Sequence, residues 1–169
     1  MATNSGLIRI FEFALQQEYT GKSFFEASIQ RMGYGAAVSA FHKLIEEEDK
    51  HIDFISRILA NLYDEQEMDI PEAFTLQSEV ESYFDNRAKS EFLQKGITES
   101  MIPDVTVFNT AWLIEKDLSD FYGRMAKQTE GEASKSLEML ADWEKAHELF
   151  FRDYRDALTE AYSKMPWGG

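Results

Sequence analysis

Glu48-Asp49-Lys50-His51 and, 96 residues later, Glu144-Lys145-Ala146-His147 are the two stretches on which the reading of this chain turns. On a helix, residues three apart lie on one face, one turn from each other. Glu48 therefore points with His51, and Glu144 with His147. Phe41, Leu44, Ile45, Ile52, Ile55, Leu59 and Leu62 share the face of the first pair, and Leu137, Leu140, Phe151, Tyr154 and Leu158 that of the second. Both pairs thus fall inside the apolar stripe that a helix turns toward a core. A carboxylate buried there without a partner is costly, so something must neutralise it.

Working outward, each pair has an inward glutamate ahead of it. Glu18 precedes Glu48 by 30 residues and Glu115 precedes Glu144 by 29. Glu18 shares a face with Ile8, Phe11, Leu15, Phe25, Ile29 and Met32, and Glu115 with Phe108, Ala111, Leu118, Tyr122 and Met125. Phe25 and Tyr122 each stand seven residues beyond their glutamate. The chain is therefore an internal repeat of two helical hairpins, each with one inward Glu and one inward Glu-x-x-His.

Helices are predicted at about 5–32, 36–62, 104–128 and 133–162. Thr3, Asn4 and Ser5 can cap the first, and Pro103 and Asp104 can start the third. Gly33-Tyr34-Gly35 and Thr129-Glu130-Gly131-Glu132 are short breaks, which make the helices they join antiparallel neighbours. If helices two and three run in the same direction, their connection must be as long as the bundle. A 27-residue helix is about 40 Å long, and residues 63–103 can span that as a partly helical crossover, with Val80, Tyr83, Phe84 and Phe92 as its packing contacts. The end, Met165-Pro166-Trp167-Gly168-Gly169, reads as a loose tail. The fold class is all-α: one four-helix bundle filling a single domain over residues 1–169.

Composition agrees. The chain is 44% hydrophobic and 28% charged, with 9 glycines and 3 prolines, as a globular protein of long helices requires. It has no cysteine, which excludes disulfides, thiolate metal sites and thiol chemistry. A net charge of −14 repels phosphate backbones, so nucleic acid is not an expected partner. No window approaches 18 consecutive apolar residues, so no membrane-spanning helix is expected. No signal peptide is apparent at the N-terminus, and a cytoplasmic location is the expectation.

Four helices bring Glu18, Glu48, His51, Glu115, Glu144 and His147 to one interior. Two divalent cations would balance the four carboxylates, and carboxylate oxygen with imidazole nitrogen suits iron better than magnesium or calcium. Manganese or a mixed pair fits the same ligands. A Glu from each of two helices plus Glu-x-x-His from each of the others is the ligand recipe of di-iron and di-manganese bundles. His42 has Ser39 three residues before it and no counterpart in the second half, so it reads as a structural or surface histidine.

Gln17-Glu18-Tyr19, Glu115-Lys116-Asp117-Leu118-Ser119-Asp120-Phe121-Tyr122 and Leu140-Ala141-Asp142-Trp143-Glu144-Lys145-Ala146-His147 resemble the rubrerythrin branch of the ferritin-like superfamily. The resemblance covers nearly the whole chain. It implies a carboxylate-bridged di-iron centre that reacts with hydrogen peroxide or dioxygen, with the six residues as metal ligands and the bridging glutamates left open. Two departures accompany it. Full-length rubrerythrins carry a cysteine-ligated rubredoxin domain, whereas this chain has no cysteine, so electrons must come from a separate protein or a small reductant. Many members also place a further Glu three residues after the third-helix ligand, where Leu118 stands here, so the metal shift tied to that ligand is not implied. The six-ligand set is similar to that of bacterioferritin and some di-iron oxygenases. Bacterioferritin's haem-ligating Met follows its second-helix Glu, and Asp49 stands there, so no haem is expected.

Tyr122 and Tyr154 lie two turns beyond Glu115 and His147 and are candidate hydrogen donors or electron relays behind the ligands. Core packing is their alternative reading. Trp112 and Trp143 fall off the ligand faces and read as packing. The expected function is a peroxidase or oxidase at a di-iron centre, in a homodimer. Ferroxidase or iron-handling activity of ferritin type, and oxygenation of an unknown small molecule, are the alternatives.

Overall fold

Long runs free of glycine and proline should form long helices, and they do. The computed structural model describes residues 4–32, 36–64 and 103–164. These form α1 (Asn4–Met32), α2 (Ala36–Tyr63), α3 (Pro103–Ala126) and α4 (Gly131–Ser163), with no strand among the described residues. The break at Gly33-Tyr34-Gly35, nearly all of the crossover and the tail after Lys164 lie outside the described residues.

Helix boundaries differ from the sequence reading mainly at the α3–α4 turn. There α3 stops at Ala126 rather than near 128, and α4 starts at Gly131 rather than near 133. The final carbonyls of α3 explain the early stop. The Thr129 hydroxyl donates to the Met125 and Ala126 carbonyls at 3.0 and 3.2 Å, and Ser134 Oγ donates to the Ala126 carbonyl at 2.9 Å. Side chains thereby take over the acceptors that further helical turns would have used. Gly131 then reverses the chain at φ +64°, a conformation that costs a side chain dearly and glycine little.

Cross-helix contacts fix the directions. Asn4 Nδ2 donates to the Leu62 carbonyl at 3.2 Å, and Lys22 Nζ to Asp49 at 2.5 Å, so α1 and α2 are antiparallel. Ser119 Oγ meets the Ala141 carbonyl at 3.1 Å and Arg155 meets Asn109 at 3.3 Å, so α3 and α4 are antiparallel. Phe13 packs on Phe121 with centroids 4.9 Å apart, whereas Gly21 faces Ile114, so α1 and α3 are antiparallel too. It follows that α2 and α3 run the same way, as the length of the 63–103 connection allows.

The core has two apolar layers. One holds Phe11, Phe54, Ile55, Leu118, Leu137 and Leu140 among others. The second is mostly aromatic: Phe25, Phe41, Phe108, Phe151 and Tyr154, with Phe25 stacked on Phe151 at 5.6 Å and Phe108 on Tyr154 at 4.1 Å. Along every helix the polar residues of interest fall between these layers. Edge and stacked pairs of this kind add about 0.5–1.5 kcal/mol each beyond area burial.

Phe151 is fully buried and touches Phe25, Phe41, Phe108 and Phe150. Phe151→Ala should therefore lower unfolding free energy by about 3–5 kcal/mol. Leu113→Ala, at a position 43% exposed, should stay within about 0.5 kcal/mol. Chemical denaturation of the two variants checks both.

Candidate metal centre

The i, i+3 phase of the two Glu-x-x-His pairs turns each into the gap between the layers, and the two preceding helices add one glutamate each. Glu18, Glu115 and Glu144 are fully buried, and Glu48, His51 and His147 are 1% exposed. The structure brings all six together. They form two overlapping groups, Glu18–Glu48–His51–Glu144 and Glu48–Glu115–Glu144–His147, each with ligand-type atoms within 4.8 Å of one another. Glu48 and Glu144 belong to both groups, so these two carboxylates lie between the other four residues.

Both imidazoles turn Nδ1 toward the carboxylates. His51 Nδ1 lies 2.8 Å from Glu144 Oε1, 3.3 Å from Glu18 Oε2 and 3.7 Å from Glu48 Oε2. His147 Nδ1 lies 3.4 Å from Glu48 Oε1 and Glu144 Oε2, and 3.7 Å from Glu115 Oε2. Despite this crowding, both oxygens of Glu48, Glu115 and Glu144 are out of line for a hydrogen bond. Buried carboxylate oxygens without hydrogen bonds are rare, and each needs a reason. Oxygen and nitrogen lone pairs converging on common points are the arrangement in which cations replace hydrogen bonds. With carboxylates and imidazoles and no thiolate, the donor set fits iron or manganese.

Without cations the cluster is loaded with protons. Burial raises the Glu18 and Glu115 carboxyls well above the usual range, and the Glu144 charge pushes them further. Burial also opposes charge on Glu144, but the charge of the His51 imidazole and the closeness of Glu115 and His147 hold it well below that range. For His51 and His147 burial favours the neutral ring, yet the facing carboxylates win and raise both well above an ordinary imidazole. A metal ion would have to displace these protons.

Around the cluster, the Tyr122 hydroxyl donates to Glu18 Oε1. Tyr154 instead lies with its ring on Phe108, inside the aromatic layer. His42 is exposed. Trp112 lies under the Arg155 guanidinium at 4.2 Å. Trp143 does more than fill space: its ring lies nearly parallel to that of His51, 5.0 Å away at 13°, and His51 is in turn 5.4 Å from His147 at 19°. Its position off the ligand face of α4 points it at α2, a relation visible only once the helices are packed. Glu47 and Glu148 were also missed as buried acids. They are 3% and 5% exposed, and pair with Lys50 at 2.9 Å and Lys145 at 2.5 Å. Their neighbouring lysines at i+3 and i−3 were the available signal.

Between α1 and α3 a cleft of about 470 Å³ is lined by residues including Phe13, Gln17, Gly21, Ile114, Leu118 and Phe121. Gly21 and Leu118 sit one turn beyond Glu18 and Glu115. No helix among the described residues is long and apolar enough to cross a membrane.

The family model described as Rubrerythrin matches residues 9–155, a stretch that contains most of both hairpins and all six clustered residues. No curated protein and no solved structure matches the chain.

The proton load makes a signed prediction. In the metal-free chain Glu18, Glu115, His51 and His147 contribute stability that is fully present below their unfolded values of 4.5 and 6.5, and lost as pH rises through the folded values. Glu144 runs the other way, losing its contribution on acidification below 4.5. Cations replace those protons, so the rise in Tm on adding ferrous iron or manganese should grow from about pH 5.5 to about pH 8. A thermal-shift series without and with metal measures it.

Proposed function

The chain belongs to the rubrerythrin family, and on that premise we propose that it reduces hydrogen peroxide at a di-iron centre held by Glu18, Glu48, His51, Glu115, Glu144 and His147. The observation that carries this reading is the sharing of Glu48 and Glu144 by two four-residue groups. The six residues would hold the ions, Glu18 and His51 belonging to one group, Glu115 and His147 to the other, and Glu48 and Glu144 to both. Iron bound there supplies the two electrons and the Lewis acidity that O–O cleavage needs.

The chain's own residues do the rest. The two apolar layers keep bulk water from the carboxylates. Tyr122 holds a proton at Glu18 Oε1, where a proton is needed when peroxide, two electrons and two protons become two waters. Tyr154→Phe tests whether the second tyrosine hydroxyl contributes. Electrons come from outside the four helices, from a donor protein or a small reductant, and the assembly is a homodimer. Iron storage would need a large hollow assembly, and a dimer on gel filtration would rule it out. Oxidation of a small organic molecule is a second reading, favoured by the cleft between α1 and α3.

Anaerobic reconstitution should give two irons per chain. In stopped flow, peroxide should oxidise the ferrous protein at least about tenfold faster than dioxygen does, a barrier difference of about 1.4 kcal/mol. The reverse order would make the protein an oxidase. Glu144→Ala, which removes a carboxylate common to both groups, should abolish the binding of both ions together. Tyr122→Phe should keep the metal and slow the peroxide step by about tenfold or more; an unchanged rate and an unchanged ferric spectrum would remove Tyr122 from the mechanism.

A further inference from the structure

We propose that Trp143 is the electron port of this protein, the ring through which an external one-electron donor reduces the site behind His51. The proposal rests on the redox reading above and names the chain's own path for the electrons that reading requires.

Three observations carry it. First, Trp143 is partly exposed, whereas His51, the ring it covers, is 1% exposed. The indole therefore links the surface to a residue that solvent and donors cannot touch. Second, the link is made of parallel rings. Trp143 to His51 is 5.0 Å at 13°, and His51 to His147 is 5.4 Å at 19°. Electronic coupling falls steeply with every gap between orbitals, and stacked π faces keep the gaps few and short. Third, the arrangement is one-sided. One repeat earlier, the position equivalent to Trp143 is Glu47, a buried carboxylate paired with Lys50. A residue needed simply to fill the groove between α2 and α4 would be expected in both halves. Phe54 packs edge-on against the indole at 5.3 Å and 68° and holds its plane.

The step is a one-electron transfer in which no bond forms or breaks. A surface donor loses one electron, the electron crosses the Trp143 and His51 rings, and the oxidised metal site gains it. Two such transfers restore the pair of electrons that one peroxide consumes. The donor class is a one-electron reductant, and a surface of net charge −14 attracts a cationic one.

The test uses the iron-loaded full chain and the methyl viologen radical cation as the donor. Loss of ferric absorption is followed anaerobically in wild type, Trp143→Leu, Trp143→Phe and the off-path control Trp112→Phe, with iron content measured on every sample. Expected are a re-reduction about tenfold slower in Trp143→Leu and about twofold to threefold slower in Trp143→Phe. Iron content and the peroxide oxidation rate of the ferrous form should be unchanged, and Trp112→Phe should behave as wild type. Trp143→Phe should also lose most of the quenching of tryptophan emission that iron loading causes. Should Trp143→Leu fail to fold, the Phe variant decides by the same criteria. Wild-type re-reduction rates in the Trp143 variants would overturn the port while leaving the peroxidase reading intact. Iron content falling in step with the rate would also overturn it, making the indole a brace for His51. A wild-type chain that takes up no iron would overturn both.

Discussion

Four glutamates at zero or 1% exposure, stacked between two apolar layers, are the constraint around which this bundle is built. Water cannot reach them and few hydrogen bonds do, so their charge has to be met from within. Without cations the answer is protons: Glu18 and Glu115 are driven toward the neutral form and the two imidazoles toward the charged one. That answer leaves oxygen atoms of three glutamates out of line with every donor. Cations can satisfy the same atoms at once, so the interior is better explained as a binding site than as a tolerated polar core.

The apolar layers give this polar gap its precision. Each ligand is held by buried neighbours on its own helix, such as Phe41 and Leu44 before Glu48, and Phe150 and Phe151 after His147. The rings of the aromatic layer tie all four helices together through Phe25, Phe41, Phe108 and Phe151. Displacing any one helix would cost aromatic contacts on at least two others. A site whose ligands come from four separate helices depends on that stiffness, because the geometry of the ligand set is no better than the register between helices.

Much of this was legible in the sequence because helical phase is local information. The spacing of Glu48 to His51 and of Glu144 to His147 put the ligands on apolar faces, and the two preceding glutamates followed from the repeat. The parallel course of α2 and α3 was legible in the length of the 63–103 connection, which can span the bundle. What the sequence could not reveal was anything that depends on how neighbouring helices meet. Trp143 is off the ligand face of its own helix and on the ligand of the next one, so phase alone dismissed it. The sharing of Glu48 and Glu144 is likewise a matter of which side chains reach the middle. The early end of α3 turns on the Thr129 and Ser134 hydroxyls competing for backbone carbonyls, a local contest that composition does not decide.

The two hairpins supply equal ligands but unequal surroundings. Beside Glu18 and His51 stand the Tyr122 hydroxyl and the Trp143 ring. The equivalent positions toward Glu115 and His147 are Phe25, which has no hydroxyl, and Glu47, which has no ring. A pair of cations needs only the symmetric part, so symmetry accounts for binding. Reaction asks for more, since a proton and an electron must each arrive somewhere in particular. Both groups able to deliver them flank the same half of the site. On the proposed reading the chemistry is placed by the differences between the repeats, at the Glu18–His51 side, and Tyr122 and Trp143 are the residues in which those differences reside.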